Sequence, residues 1–398
     1  MAAIPASSFH PPVRTLMGPG PSDVPARVLA ALGRPTLGHL DPAFGELMDD
    51  LKRLLRAALR TDNDVTFAVS APGSAGMELC FANLVEPGDT VVICRNGVFG
   101  SRMEHNVLRA GGKPVLVDSP WGRACDPAAL QAALRATPDA RLVAFVHAET
   151  STGAASDAQA LAAIAHEHDC LVLVDAVTSL GGSPLAMDDW GIDALYSGSQ
   201  KCLSCTPGLS PVSFSAAAVE RVRAREIPPH SWFLDLSLLL GYWQGDGGRT
   251  YHHTAPVNAL YGLHEALVIL HEEGLEASWA RHRRLHEALR DGLEAMGLEL
   301  PVPAGERLPQ LNLVRIPDGV DDRATRAALL ARYGLEIGAG LGDFAGKAWR
   351  IGLMGASASE RNVMLALGAL HHLLVEQHAV PADSRPLDAA RAGLASDG

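Results

Sequence analysis

Residues 171–201 read LVLVDAVTSLGGSPLAMDDWGIDALYSGSQK, and the two ends of that stretch decide the fold. Residues 171–174 are an unbroken run of leucine and valine closed by Asp175, the pattern of a strand buried on both faces. Residues 194–196 form a second short apolar strand, followed at once by the small-residue turn Ser197-Gly198-Ser199-Gln200 and then Lys201. One crossover separates the two strands. Asp175 and Lys201 therefore fall at the carboxyl edge of a single parallel sheet, the edge at which open α/β sheets bind ligands.

The same alternation continues outward on both sides. Strands are predicted at 65–69, 90–94, 114–117, 142–146, 171–174, 194–196 and 212–214, and helices at 77–85, 101–110, 127–135 and 157–168. This is an α/β pattern: a mostly parallel seven-stranded sheet with helices on both faces. Long helical patterns at 257–272 and 275–296 follow, and then a smaller α+β unit. That unit has strands at 311–316 and 349–353 and helices at 322–333 and 359–375. The expected division is a large domain over 19–272 and a small one over 273–378. Residues 379–398, rich in Pro, Ala, Asp and Ser without sustained periodicity, are expected to fray.

Composition narrows the function. The 398 residues carry 33 Lys and Arg against 45 Asp and Glu, a net charge of −12, which argues against a nucleic-acid surface. With 47% hydrophobic and 20% charged residues the chain has enough apolar side chains to fold, and no window is long and apolar enough for a membrane span. The N-terminus lacks the charged and apolar regions of a secretory signal. Six cysteines scattered through a long chain fit a reducing compartment, so a cytoplasmic location is expected.

Lys201 is the most informative residue. A lysine amine held away from water loses its proton readily and condenses with an aldehyde. Paired with an aspartate able to face a pyridinium nitrogen, it provides what pyridoxal 5'-phosphate requires. Read alone, Lys201 is more often a solvent-facing loop lysine and Asp175 a helix cap, and it is the neighbouring segments that shift the reading. Residues 70–76, SAPGSAG, follow a strand and open a helix, which suits a single phosphate; they match neither a P-loop nor a dinucleotide turn. Arg350 is a charge inside the apolar strand 349–353 and needs either a bound carboxylate or an internal salt bridge. Cys202 and Cys205 lack a second Cys/His pair at zinc spacing, and neither His252-His253 nor His166-Glu167-His168 fits HExxH, so no metal site is expected.

Taken in order, GPGPS at 18–22, GHLDP at 38–42, NLVEPGD at 83–89, NGVFG at 96–100, HAETSTG at 147–153, VDAVTSLGG at 174–182, YSGSQK at 196–201, YHHTAP at 251–256 and WRIGLMG at 349–355 resemble the fold-type I, class V aminotransferases. The likeness is strongest to the alanine–glyoxylate and serine–pyruvate (serine–glyoxylate) branch. It implies Lys201 as the imine-forming lysine, Asp175 at the pyridine nitrogen, and Gly73, Ser74, Ala75 and Gln200 at the phosphate. It further implies Phe99 stacked on the ring, Ser151 beside it, Arg350 on the substrate carboxylate and Gly20 close to the substrate. By the same resemblance Tyr251 and Thr254 reach the neighbouring subunit's phosphate in a homodimer with shared sites, and residues 1–18 form an arm over the partner. The implied reaction is ping-pong transfer of an amino group from alanine or serine to glyoxylate, with aspartate as donor or pyruvate as acceptor left open. A class V lyase is the neighbouring alternative; a desulfurase would need a late cysteine, and none follows Cys205. An NAD-binding protein would need a glycine fingerprint that 70–76 does not supply.

Overall fold

The computed structural model describes residues 7–244 and 249–395. The seven expected strands form one sheet, ordered from one edge Val65–Val69, Ser210–Phe214, Ala194–Tyr196, Leu171–Asp175, Ala140–Val146, Thr90–Arg95 and Lys113–Asp118. Ser210–Phe214 runs antiparallel to both its neighbours, and the remaining pairs are parallel. Helices cover both faces, so Val172, Leu173 and Val174 have no exposed surface. One apolar core gathers side chains from Val28 to Leu275. A second joins Met17 to residues between Leu285 and Ala390, around the sheet of Leu311–Arg315, Ala348–Gly352 and Gly338–Ala339. Gly274, at φ +88°, ends the helix Val257–Glu273 and starts Leu275–Ala295.

Two expectations need correction. The helix predicted at 77–85 begins at Gly73 and runs to Leu84, because Gly76 lies flush on the sheet where a Cβ would collide with the Ser210 hydroxyl. The tail does not fray over its described length: Pro386–Ala395 is a helix whose Ala390 is fully buried in the small domain's core. Residues 396–398 lie outside the described residues. Of the arm expected over 1–18, residues 1–6 are likewise outside. Thr15–Leu16, however, pairs in parallel with Leu335–Glu336 of the same chain, and Met17 is buried in the same chain's small domain.

Most helices open on a capping carboxylate or hydroxyl, as at Asp41, Asp126, Asp157, Ser215, Asp321 and Ser359. Gly73–Leu84 and Val98–Arg109 open on Pro72 and Gly97 without a side-chain cap of their own. Both follow strands of the large sheet, so both N-termini lie at its carboxyl edge.

Candidate active site

Asp175 closes its strand in register with Tyr196 on the next one. It is 3% exposed; one carboxylate oxygen accepts the Val177 N–H at 2.8 Å and the other the Tyr196 hydroxyl at 2.7 Å. Burial outweighs these donors and pushes its carboxyl up to about 7. Lys201, five residues beyond Tyr196, is 8% exposed, and its Nζ donates to the Pro19 carbonyl. Burial brings its amine down to about 8, with Arg350 adding to that effect and Cys202, Asp175 and Glu149 opposing it. The lysine side chain lies against Gly20, where a Cβ would come within 2.7 Å of Nζ.

Gly73, Ser74 and Ala75 form the first turn of their helix. A Cβ on Gly73 would lie 3.2 Å from the Ser197 carbonyl, so this helix end sits close against the lysine loop. Gln200, in that loop, has its buried Oε1 without a hydrogen-bond partner. The chain turns Ser22 onto the same loop: its N–H donates to the Gln200 carbonyl at 2.9 Å and its hydroxyl to the Lys201 carbonyl at 2.8 Å.

Arg350 arrives from the small domain, 7% exposed. Its Nε donates to the Ala339 carbonyl at 2.7 Å and one Nη to the Thr150 carbonyl at 3.1 Å. Among the described residues it has no carboxylate partner, so the internal salt bridge open to the sequence is not formed. Burial holds its pKa below the usual guanidinium value. Phe99 lies in the first turn of Val98–Arg109 with the Arg102 guanidinium 4.8 Å from its ring centre. Ser151 has no exposed surface and sits beside the start of that helix, where its hydroxyl oxygen accepts the Val98 N–H at 2.9 Å.

Tyr251 and Thr254 behave differently. Both are exposed on this chain and their hydroxyls bond each other at 3.3 Å; no hydrogen bond joins either to Lys201 or to the turn at 73–75. Cys202 and Cys205 are buried free thiols, Cys202 donating to the Thr178 carbonyl at 3.2 Å. Two residues went unassigned by sequence reasoning although both lie in quoted motifs. Tyr196 is visible only through its register opposite Asp175. Glu149 announces itself as a carboxylate inside the otherwise uncharged stretch 142–156.

A buried lysine, a buried carboxylate, an arginine without an acid partner and a bare helix end thus converge where the two domains meet. The model of the aminotransferase class-V family matches residues 18–343. The chain belongs to the class V aminotransferases. It is 40% identical over 368 residues to an alanine–glyoxylate aminotransferase of Callithrix jacchus, covering 91% of this chain and 88% of the relative. It is 35% identical over 397 residues to an (S)-ureidoglycine–glyoxylate transaminase of Bacillus subtilis, covering 95% of both. The solved structure of an alanine–glyoxylate aminotransferase from Nostoc sp. matches with a TM-score of 0.91 at 44% identity, over 93% of this chain and 98% of the other. That of the ureidoglycine–glyoxylate aminotransferase of Bacillus subtilis gives 0.94 at 36%, over 97% and 99%. This aminotransferase is therefore an enzyme of amino and keto acids, and membership of the family implies pyridoxal phosphate.

Proposed function

We propose that this aminotransferase binds pyridoxal phosphate at Lys201 and transfers the amino group of a small amino acid, alanine or serine, to glyoxylate. The observation that carries the assignment is Arg350, buried without an acid partner and opposite Gly338 in its sheet. It suits an α-carboxylate in a site walled by glycine and alanine. The relatives named above share glyoxylate as acceptor and differ in donor, which supports the acceptor more strongly than the donor.

The residues fit the cofactor. The uncapped end of Gly73–Leu84 and the Gln200 side-chain N–H group, a donor, suit a phosphate, and Asp175 suits a protonated ring nitrogen. When bound, pyridoxal phosphate supplies an aldehyde for amine exchange and a ring that withdraws electrons from the substrate Cα–H bond. Lys201, with its amine near neutrality, takes the Cα proton and returns it, which an ordinary ammonium near pH 10.4 could not do at neutral pH. Asp175, fixed by Val177 and Tyr196, would meet the ring nitrogen, and a cation there would favour the charged carboxylate that burial alone disfavours. Arg350 orients the carboxylate so that the Cα–H bond faces Lys201, and the Thr150 and Ala339 carbonyls fix the guanidinium plane. Phe99 and Ser151 would flank the ring, while Tyr251 and Thr254, exposed here, would complete the phosphate site of a second copy in a homodimer. A cytoplasmic location belongs to the same reading, with no membrane or nucleic acid as partner; among the described residues no helix is long and apolar enough to cross a membrane.

The test is a donor panel with glyoxylate or pyruvate as acceptor, reading glycine or alanine formed. Glycine from alanine or serine is expected. Protein that takes up no pyridoxal phosphate on Lys201, or that forms no glycine with any donor, would end this reading.

A further inference from the structure

Glu149 is fully buried and forms no ion pair among the described residues, which for a carboxylate demands an explanation. Its partners supply one. Oε1 accepts the Ser151 N–H at 2.9 Å and the Ser151 hydroxyl at 2.6 Å, and Oε2 accepts the Phe99 N–H at 3.1 Å. Having donated its proton to Glu149, the Ser151 hydroxyl in turn accepts from Val98. The helix Val98–Arg109 thus begins on a borrowed cap: its first free N–H groups end on Ser151 and Glu149, and the helix dipole favours the charge there. Gly97 leaves room for this, since a Cβ would lie within 2.5 Å of the Glu149 side chain.

We propose that Glu149 is a positioning residue of the transamination site, one buried carboxylate that fixes Phe99 and Ser151 together and so sets the seat of the cofactor ring. The inference rests on the cofactor part of the reading above and on no particular substrate. Two consequences follow from the bonding. Ser151 has a single hydroxyl proton, already committed to Glu149, so it meets a bound group as an acceptor only. The negative charge also reaches the reacting groups: it strengthens proton binding at Lys201 and Asp175, alongside the influence of Arg350 and Cys202 on Lys201.

The experiment compares Glu149→Gln and Glu149→Asp with wild type in the full-length protein. The readouts are affinity of the cofactor-free protein for pyridoxal phosphate, circular dichroism of the bound chromophore, the pH midpoint of its absorbance, and thermal midpoints with and without cofactor. Gln keeps the shape but turns one acceptor into a donor facing an N–H. Affinity should fall roughly tenfold, as for one lost charge-assisted hydrogen bond. The absorbance midpoint should fall by about half to one pH unit, because a charge that favoured the protonated form has gone. Asp keeps the charge but is one methylene too short to hold both partners. It should lose affinity and chromophore dichroism while its pH midpoint stays near wild type. A carboxylate with a purely structural role would lower both thermal midpoints equally in either variant and leave affinity, dichroism and pH midpoint at wild-type values; that result overturns the proposal. If Glu149→Gln does not fold, Glu149→Asp decides by the same criterion. Wild-type protein that binds cofactor but does not aminate glyoxylate would end the substrate reading and leave this one standing.

Discussion

Gly20→Ala is the substitution for which the geometry makes the sharpest demand. A Cβ at residue 20 would stand 2.7, 2.8 and 2.9 Å from Lys201 Nζ, Cδ and Cε. Ordinary contacts between such atoms lie near 3.5–4.0 Å, so roughly 1 Å of movement is required. Gly20 also holds φ at +103°, where a side chain costs about 1–2 kcal/mol of backbone strain. The lysine is the mobile partner, and its displacement pulls Nζ from the Pro19 carbonyl that aims it. A 1 Å misplacement of a reacting group costs on the order of 10²-fold in rate, equivalent to about 2.7 kcal/mol of barrier. The expected outcome is a kcat lowered about a hundredfold, with the strain lowering the thermal midpoint by only a few degrees. The assay pairs steady-state kinetics with calorimetry, using Gly368→Ala as control. Gly368 lies within the helix Glu360–Glu376 with nothing within 4 Å of its Cβ position, so alanine there should add up to about 1 kcal/mol of stability and leave kcat alone. A Gly20→Ala enzyme with wild-type kcat would refute the close approach of Gly20 to the working position of Lys201.

Other changes separate the roles of neighbouring groups. Arg350→Ala removes a charge-assisted partner of the substrate carboxylate and should raise the apparent KM for both amino and keto acid by roughly 10²-fold, leaving the cofactor's absorbance in place; unaltered KM values would remove Arg350 from substrate binding. Cofactor uptake by the cofactor-free protein needs a neutral Lys201 amine. Because burial lowers that amine from 10.5 to about 8, the uptake rate should climb about tenfold per pH unit up to pH 8 and then level off. A rate still climbing at pH 9.5 would place Lys201 in a solvated environment. Ala390→Asp buries an unpaired charge between the helices Pro386–Ala395 and Leu275–Ala295. It should cost on the order of 2–4 kcal/mol, read as a lower thermal midpoint with cofactor uptake unchanged, whereas a frayed tail would tolerate it.

The parts of the fold legible from sequence are those whose signals are local. The helix Asp322–Tyr333 falls at its predicted bounds because Asp321 caps one end and Gly334, at φ +62°, ends the other. The buried strands read directly from their apolar runs. The helix Pro386–Ala395 was missed because ten residues seldom hold a helix unaided, and what holds this one, burial of Ala390 in the small domain's core, is tertiary. The start at Gly73 was missed because Gly-Ser-Ala-Gly scores as a loop, and only the tight fit of Gly76 on the sheet reverses that preference.

The site follows a different logic, since its residues break local rules and the sequence can show the breach without the compensation. Lys201 and Arg350 were conspicuous as cations against apolar strands. Whether Arg350 already had an acid partner depended on which residues the small sheet placed around it, and the structure answers with two carbonyls and no acid. Glu149 poses the same problem with the opposite sign: a buried carboxylate in no ion pair among the described residues, held by N–H and O–H donors. A charge kept in the interior on N–H and O–H donors without an ion pair is tolerable only where those donors are fixed. Its presence beside Phe99 and Ser151 therefore argues that this corner of the domain is rigid before any ligand arrives. Burial raises the Asp175 carboxyl toward 7 and lowers the Lys201 amine toward 8, so both charges are held at a cost in one buried crevice. A buried lysine whose amine lies near neutrality is a poor arrangement for stability and a good one for moving a proton at neutral pH.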